Sequence, residues 1–255
     1  MQTTNSASKE GAAAIVLAAG KGTRMRSDLP KVLHRLHGTP LVLHPIGAAT
    51  DAGATHVVVV VGHGGEQVRQ TVSASVSDGV ELRFAEQQQQ LGTGHAVLCA
   101  LEQLRDAQGP AWVLSGDVPL LRAKTLARLA DAWRTSSAKL ALAIFRPEDN
   151  QGYGRILRDE GGRIVGIREQ RDASPSELDI EECNAGVYCI DLDLLRRELP
   201  LLGAANDQGE IYLTDLVARA ARDGAVAGVE IEAIEAAGVN TVEQLEALER
   251  HVDQN

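Results

Sequence analysis

Lys21, Arg24 and Lys31 follow closely on a small-residue turn in the stretch IVLAAGKGTRMRSDLPKVL, residues 15–33. An apolar run that breaks into Gly20-Lys21-Gly22 exposes backbone N–H groups, and with three cations behind it such a turn can wrap a triphosphate. Taken alone, the stretch fits an ordinary strand-to-helix turn with solvated charges equally well. Two familiar phosphate loops are excluded by single positions. A dinucleotide fingerprint needs a small residue where Met25 stands, and a Walker A loop needs Gly at Ile15 and Ser or Thr at Gly22.

Other segments add chemistry. In LSGDVPLL, Asp117 follows Ser115-Gly116 at the end of an apolar run, where one carboxylate can hold a hard divalent cation whose shell is completed by phosphate and water; capping of the next helix is the plainer role. In EQQQQLGTGHA, Gln87 to Gln90 precede Gly92-Thr93-Gly94. A Gln amide both donates and accepts, as reading a pyrimidine edge requires, whereas a polar loop with Thr93 as helix cap is the structural alternative. Gly154, Glu169 and Asn184 sit at turns or strand ends and suit hydroxyl and amide recognition on a sugar, though each taken singly reads more readily as a surface polar residue. Asn240 precedes the last helix, at a capping position. The seven histidines show no metal-ligand spacing and no Gly-x-Ser-x-Gly elbow occurs, so zinc hydrolysis and covalent nucleophilic catalysis have no support.

The elements that must position these residues follow from periodicity. Val/Ile/Leu-rich runs alternate with helix-period segments as far as KLALAIF, residues 139–145, which predicts a parallel sheet buried on both faces. The second half changes to a hairpin signal in GRILRDEGGRIVGIREQRD, a strand in AGVYCID, further helices, a strand in VAGVEIEAI and a closing helix in TVEQLEALERHV. The expected fold class is α/β: a doubly wound, mostly parallel sheet with a smaller, appended antiparallel lobe. Ligands of such sheets bind beyond the carboxyl ends of the strands. Residues 1–11 read as a disordered polar leader and 12–255 as one domain, whose two halves are 12–146 and 147–255.

Composition narrows the classes. With 255 residues, 44% hydrophobic and 24% charged, the chain is long enough to bury a full core. A net charge of −10 and only 3% aromatic residues argue against nucleic acid as a partner. No stretch approaches the roughly 18 apolar residues of a membrane span, and the flanks of AAAIVLAAG do not suit an export signal. Cys99, Cys183 and Cys189 form no pair motif and read as small buried residues in a reducing cytoplasm.

Taken in order, LAAGKGTRM, SDLPKVLH, QLGTGHA, GDVPL, GYGRI, NAGVY, QGEIYLTD and GVN resemble the N-terminal pyrophosphorylase domain of the bifunctional N-acetylglucosamine-1-phosphate uridylyltransferase family, over Ala14 to His251. The resemblance implies a Rossmann-like fold whose antiparallel lobe binds sugar, with 12–146 as the nucleotide-binding half and 147–255 as the sugar-phosphate half, and a Mg²⁺-dependent enzyme that joins UTP and N-acetylglucosamine 1-phosphate into UDP-N-acetylglucosamine and pyrophosphate. It implies that Leu17, Ala18, Ala19 and Gly20 contact nucleotide through backbone, with Gln87, Gly92 and Thr93 around uracil and ribose. Arg24 and Lys31 would be the catalytic cations on the triphosphate, Asp117 and Asn240 the metal ligands, and Gly154, Glu169 and Asn184 the sugar contacts. Gly22, Gln90, Ser115 and Gly116 complete the implied substrate-binding set. Lys21 and Arg26 are left as solvated neighbours. Full-length family members continue into a left-handed β-helix with acetyltransferase activity; its hexapeptide repeats are absent from this sequence, so acetyl transfer is not expected. Ser115 also departs from the larger residue many members carry there. A nucleotidyltransferase for another base or sugar phosphate, such as the molybdopterin cytidylyltransferase type, and a silent nucleotide-sugar-binding protein are the rival readings.

Overall fold

The computed structural model describes residues 12–254, apart from Lys21, His63, Ser77 and Asp78. The leader expected at residues 1–11, and the solvated role given to Lys21, lie outside the described residues. The first half alternates as its periodicity predicts: β1 (Ala13–Ala18), a small hairpin β2 (Arg35–Leu36) and β3 (Thr39–Pro40), α1 (Leu43–Asp51), β4 (His56–Val61), α2 (Gly65–Ser73), β5 (Glu81–Glu86), α3 (Thr93–Leu101), β6 (Pro110–Ser115), α4 (Ala123–Thr135) and β7 (Leu140–Phe145). The hairpin was not legible beforehand. It turns on His37 and Gly38, both at positive φ, and only Gly favours that region. The second half contains β8 (Arg155–Arg158), β9 (Ile164–Arg168), α5 (Pro175–Leu178), β10 (Cys183–Asp191), α6 (Leu192–Glu198), α7 (Asp215–Asp223), β11 (Val226–Glu230) and α8 (Val242–Asp253).

The strands lie in the order β11-β7-β10-β6-β1-β4-β5. β1 is parallel to β4 and β6, β4 to β5, and β7 to β11, while β10 runs antiparallel between β6 and β7. The antiparallel part is therefore not a detached lobe. β10 is built into the main sheet, and the β8–β9 hairpin hangs from its first residue through Cys183 and Arg155. This architecture agrees with the α/β expectation, and no left-handed β-helix occurs among the described residues.

Alternation decides which face each strand residue covers. Val16, Val57, Val59 and Leu114 join the core beneath α1, α2 and α4, whereas Ile15, Val58, Val60 and Val113 join the core beneath α3, α6 and α7. Helices on both faces explain why these strands are apolar at every position. The chain leaves β1 towards β4 on one side, and β6 lies on the other, so the connections diverge beyond the ends of β1 and β6 and open a crevice there. A third cluster of Met25, Leu36, Leu41, Val239 and Leu248, all buried, fastens α8 and the segment before it onto the loop after β1. Each such side chain contributes about 1.5–3 kcal/mol on leaving water. No helix among the described residues is long and apolar enough to cross a membrane.

Candidate functional site

The crevice beyond β1, β5 and β6 holds a cavity of about 290 Å³, lined among others by Leu17, Gly20, Gln87, Thr93, Ser115 and Asp117. Ala19, Lys31, Gln90 and Gly92 also line it, and Val32, Ala96 and Glu210 join them. Backbone close approach shapes its floor. Gly116 donates its N–H to the Leu17 carbonyl at 2.9 Å, where a Cβ would come within 3.0 Å of that oxygen. Gly92 has φ +101, and a Cβ there would come within 2.6 Å of the Ile211 carbonyl oxygen, so no side chain fits without moving backbone. Gln90 crosses the mouth and donates to the Ala19 carbonyl at 2.6 Å. Thr93 caps no helix: its hydroxyl accepts the Leu213 N–H at 3.1 Å and ties residues 209–214 to the start of α3.

Charges converge at one edge of this cavity. The Lys31 ammonium is paired with Oδ2 of Asp117 and donates to Oδ1 of Asn240 at 3.0 Å; that same oxygen accepts from Arg24 at 2.9 Å. Lys31 and Asp117 are each largely withdrawn from solvent, which strengthens their attraction, whereas Arg24 is exposed. The ordinary capping roles do not apply. The helix after Asp117 is capped by Arg122 without a side-chain bond, and α8 is capped by Thr241 in a capping box with Gln244, leaving the Asn240 amide free to reach the cations. Asn240 is held in place because Val239 is buried and its N–H donates to the Asp117 carbonyl at 2.9 Å. Gly22, at φ +59, packs against Lys31 and lets the loop fold back upon it. Arg26 is exposed, as its solvated reading requires.

Gly154, Glu169 and Asn184 form a second group that does not line this cavity. The Asn184 N–H donates to the Gly154 carbonyl at 2.8 Å, and a Cβ on Gly154 would lie 2.8 Å from Ile167 and 3.6 Å from the Glu169 carboxyl carbon. The Asn184 amide donates to the Tyr188 hydroxyl at 2.7 Å and its Oδ1 accepts from Gly186, within the bulge of β10. Glu169 accepts from the Thr214 hydroxyl at 2.9 Å, and Thr214 follows directly on Leu213, which is bonded to Thr93. Residues 209–214 thus connect the two groups. Sequence reasoning singled out no residue in that segment; Glu210 and Thr214 were marked only by lying in QGEIYLTD. Cys183 and Cys189 are buried as expected, but Cys99 is half-buried beside His95, and all three are free thiols.

Burial is the main cause that pushes the Glu169 carboxyl above the ordinary carboxylate range, with Asp172 and Asp215 adding repulsion and the Thr214 hydroxyl opposing. Because the folded pKa exceeds the unfolded one, the folded state binds this proton more tightly. Its stabilisation is complete below the unfolded value and is lost as pH rises through the folded one. Glu169→Gln keeps the acceptor for Thr214 and removes the loss. The stability difference between variant and wild type, from urea unfolding between about pH 4 and about pH 7, is expected to grow with pH and then level off. A difference independent of pH would contradict it.

A mixed sheet with its crevice at the strand switch point and with Lys31 and Arg24 at one edge of that crevice defines an α/β domain built to receive an anionic ligand. The chain belongs to the MobA-like NTP transferase domain family, whose sequence model matches residues 14–205. Among its relatives, the bifunctional protein GlmU of Anaeromyxobacter dehalogenans (strain 2CP-C) is 53% identical over 89% of this chain and 46% of its own length. The protein of the same name from Chromohalobacter salexigens is 48% identical over 92% of this chain and 51% of its own. That from Trichlorobacter lovleyi is 47% identical over 91% and 50%. The chain spans about half the length of the curated relatives it matches.

Proposed function

We propose that the chain transfers a uridylyl group from UTP to N-acetylglucosamine 1-phosphate, giving UDP-N-acetylglucosamine and pyrophosphate. The observation that carries this reading is the convergence of Arg24, Lys31, Asp117 and Asn240, from three distant parts of the chain, on one edge of the cavity beyond β1, β5 and β6. The resemblance supplies the choice of base and sugar, and the similarity to proteins called GlmU supports it.

The chemistry suits these residues. A sugar phosphate is already an anionic nucleophile, so its oxygen attacks the α-phosphorus in line while the bond to the departing pyrophosphate breaks, and no general base is needed. The barrier lies in bringing anions together and in the charge that builds on the leaving group, which Arg24 and Lys31 offset. Leu17 to Gly20, with Gly22, Ser115 and Gly116, offer backbone and small groups to ribose and phosphates. Gln87, Gln90, Gly92 and Thr93 face the base, and Gly154, Glu169 and Asn184 face the sugar. This division assigns 12–146 chiefly to the nucleotide and 147–255 chiefly to the sugar phosphate, with Asn240 reaching back to the cations on the triphosphate.

Asp117 and Asn240 suit Mg²⁺. They present one carboxylate and one amide oxygen, hard donors of the kind that leave room for phosphate and water; both are bonded to the Lys31 ammonium, and the Asn240 oxygen also accepts from Arg24. No group of three or more His, Cys, Asp or Glu side chains placed to hold a metal occurs among the described residues, so phosphate oxygens would supply much of the shell. When bound, the ion would neutralise phosphate charge. Lys31 would then leave its two oxygen partners and turn its charge to the triphosphate. A cytoplasmic location goes with this reading, since three free thiols suit a reducing compartment.

The test is pyrophosphate release with UTP, CTP, GTP, ATP and dTTP, each crossed with several sugar 1-phosphates, with and without Mg²⁺. Release is expected with UTP and N-acetylglucosamine 1-phosphate in the presence of Mg²⁺. Release with a different pair would reassign the substrates, and none in any combination would leave a nucleotide-sugar-binding protein.

A further inference from the structure

Gln87 follows directly on β5, lines the cavity and is only 5% exposed. A primary amide has two N–H donors and one carbonyl acceptor. The Gly92 carbonyl oxygen decides which end is which: it can only accept, so the amide atom 2.9 Å from it is Nε2. The same Nε2 lies 3.1 Å from Nδ1 of His95. Nδ1 must therefore accept, and the ring's N–H is at Nε2, towards the Cys99 sulfur at 3.9 Å. Both N–H groups of Gln87 are thus used inside the protein. Its Oε1 has no partner among the described residues. Nor is it one of the sealed, unpartnered polar atoms, which belong to His34, His44, Trp133 and Asp172. An acceptor alone is what Gln87 offers the cavity.

We propose that His95 is a positioning residue that sets base specificity: by taking the second amide N–H of Gln87, it leaves a lone acceptor facing the nucleotide. A lone acceptor pairs with the ring N–H of uracil. Against cytosine, whose corresponding ring nitrogen is itself an acceptor, two lone pairs meet and no hydrogen bond forms. The inference rests on the UTP reading of the cavity and extends it to a residue outside the lining. Without an acceptor at position 95 one amide N–H is released. With Gly92 alone holding it, the amide can turn and present N–H to cytosine at the loss of one hydrogen bond rather than two, so the discrimination shrinks.

His95→Leu removes the acceptor at similar size, and His95→Asn restores one, since its Oδ1 can stand close to the place of Nδ1. The test measures kcat/KM for UTP and for CTP in both variants and the wild type, together with nucleotide binding by calorimetry and the unfolding midpoint. The UTP-to-CTP ratio is expected to fall about tenfold or more in His95→Leu, through KM rather than kcat, and to return to within about threefold of wild type in His95→Asn. An unchanged ratio in folded His95→Leu overturns the proposal, as does a fall that His95→Asn does not repair, which would mark a packing effect. Wild type that uses CTP as well as UTP also overturns it while the transferase reading stands. Wild type that neither binds nor turns over either nucleotide overturns both.

Discussion

Arg24→Ala is expected to cut turnover about 10²- to 10³-fold while the unfolding midpoint stays within the error of the wild type. Arg24 is exposed, and its side-chain hydrogen bond to Asn240 adds little to the fold. Its position is set by its neighbour Met25, which is 2% exposed and packs with Val239 and Leu248, so the loop persists when the guanidinium is removed. What is lost is a positive charge at the edge of the cavity, where the proposed reaction builds negative charge on pyrophosphate. The loss should fall on kcat more than on KM. Arg24→Lys should recover only part of it, because an ammonium cannot present the forked donors of a guanidinium. Near-normal turnover in folded Arg24→Ala would remove Arg24 from the catalytic set.

Asp117→Asn is expected to be more damaging, by about three orders of magnitude in pyrophosphate release. The amide keeps the size of the carboxylate and an oxygen for Lys31, so the fold should change little. The negative charge, however, disappears from a site that then has only neutral oxygens to offer a divalent cation. Activity remaining in Asp117→Asn should need a higher Mg²⁺ concentration for half-maximal rate, and chelation should abolish turnover in the wild type. Wild-type Mg²⁺ dependence in Asp117→Asn would exclude Asp117 as a ligand.

Arg24 and Asp117 are linked through Asn240 and Lys31, and the effects of the two variants should not add. Arg24 and Lys31 donate to the same amide oxygen, and Lys31 is paired with Asp117, so removing one member changes the placement of the others. A double variant that loses no more than Asp117→Asn alone would be the sign of a single working unit.

Much of this site was legible from residue types. Gly20-Lys21-Gly22 ending an apolar run, Asp117 after Ser115-Gly116, and Gln87 before a Gly-Thr-Gly turn all mark strand ends, because a strand buried on both faces can place polar groups only where it leaves the sheet. The alternation of strand and helix was legible for the same reason: burial imposes periods that single residues reveal. The capping alternatives for Thr93, Asp117 and Asn240 could not be dismissed at that level. Whether such a side chain caps its own helix or reaches across to Leu213, Lys31 or Arg24 depends on partners remote in the chain.

By itself the sequence determined the α/β class, the first parallel strands, the small-residue loops beyond β1 and β6, and the residue types able to meet phosphate and base. Local sterics and the burial of alternating faces suffice for those. Only the tertiary structure decided that β10 enters the main sheet in reverse, that residues 209–214 join the two groups of candidate ligands, and that His95 uses the second amide N–H of Gln87. It also brought Asn240 onto Arg24 and Lys31 by packing Met25 against Val239 and Leu248. Strand order and side-chain pairing arise from contacts between distant segments, whose free energy belongs to the pair and is written in neither segment alone.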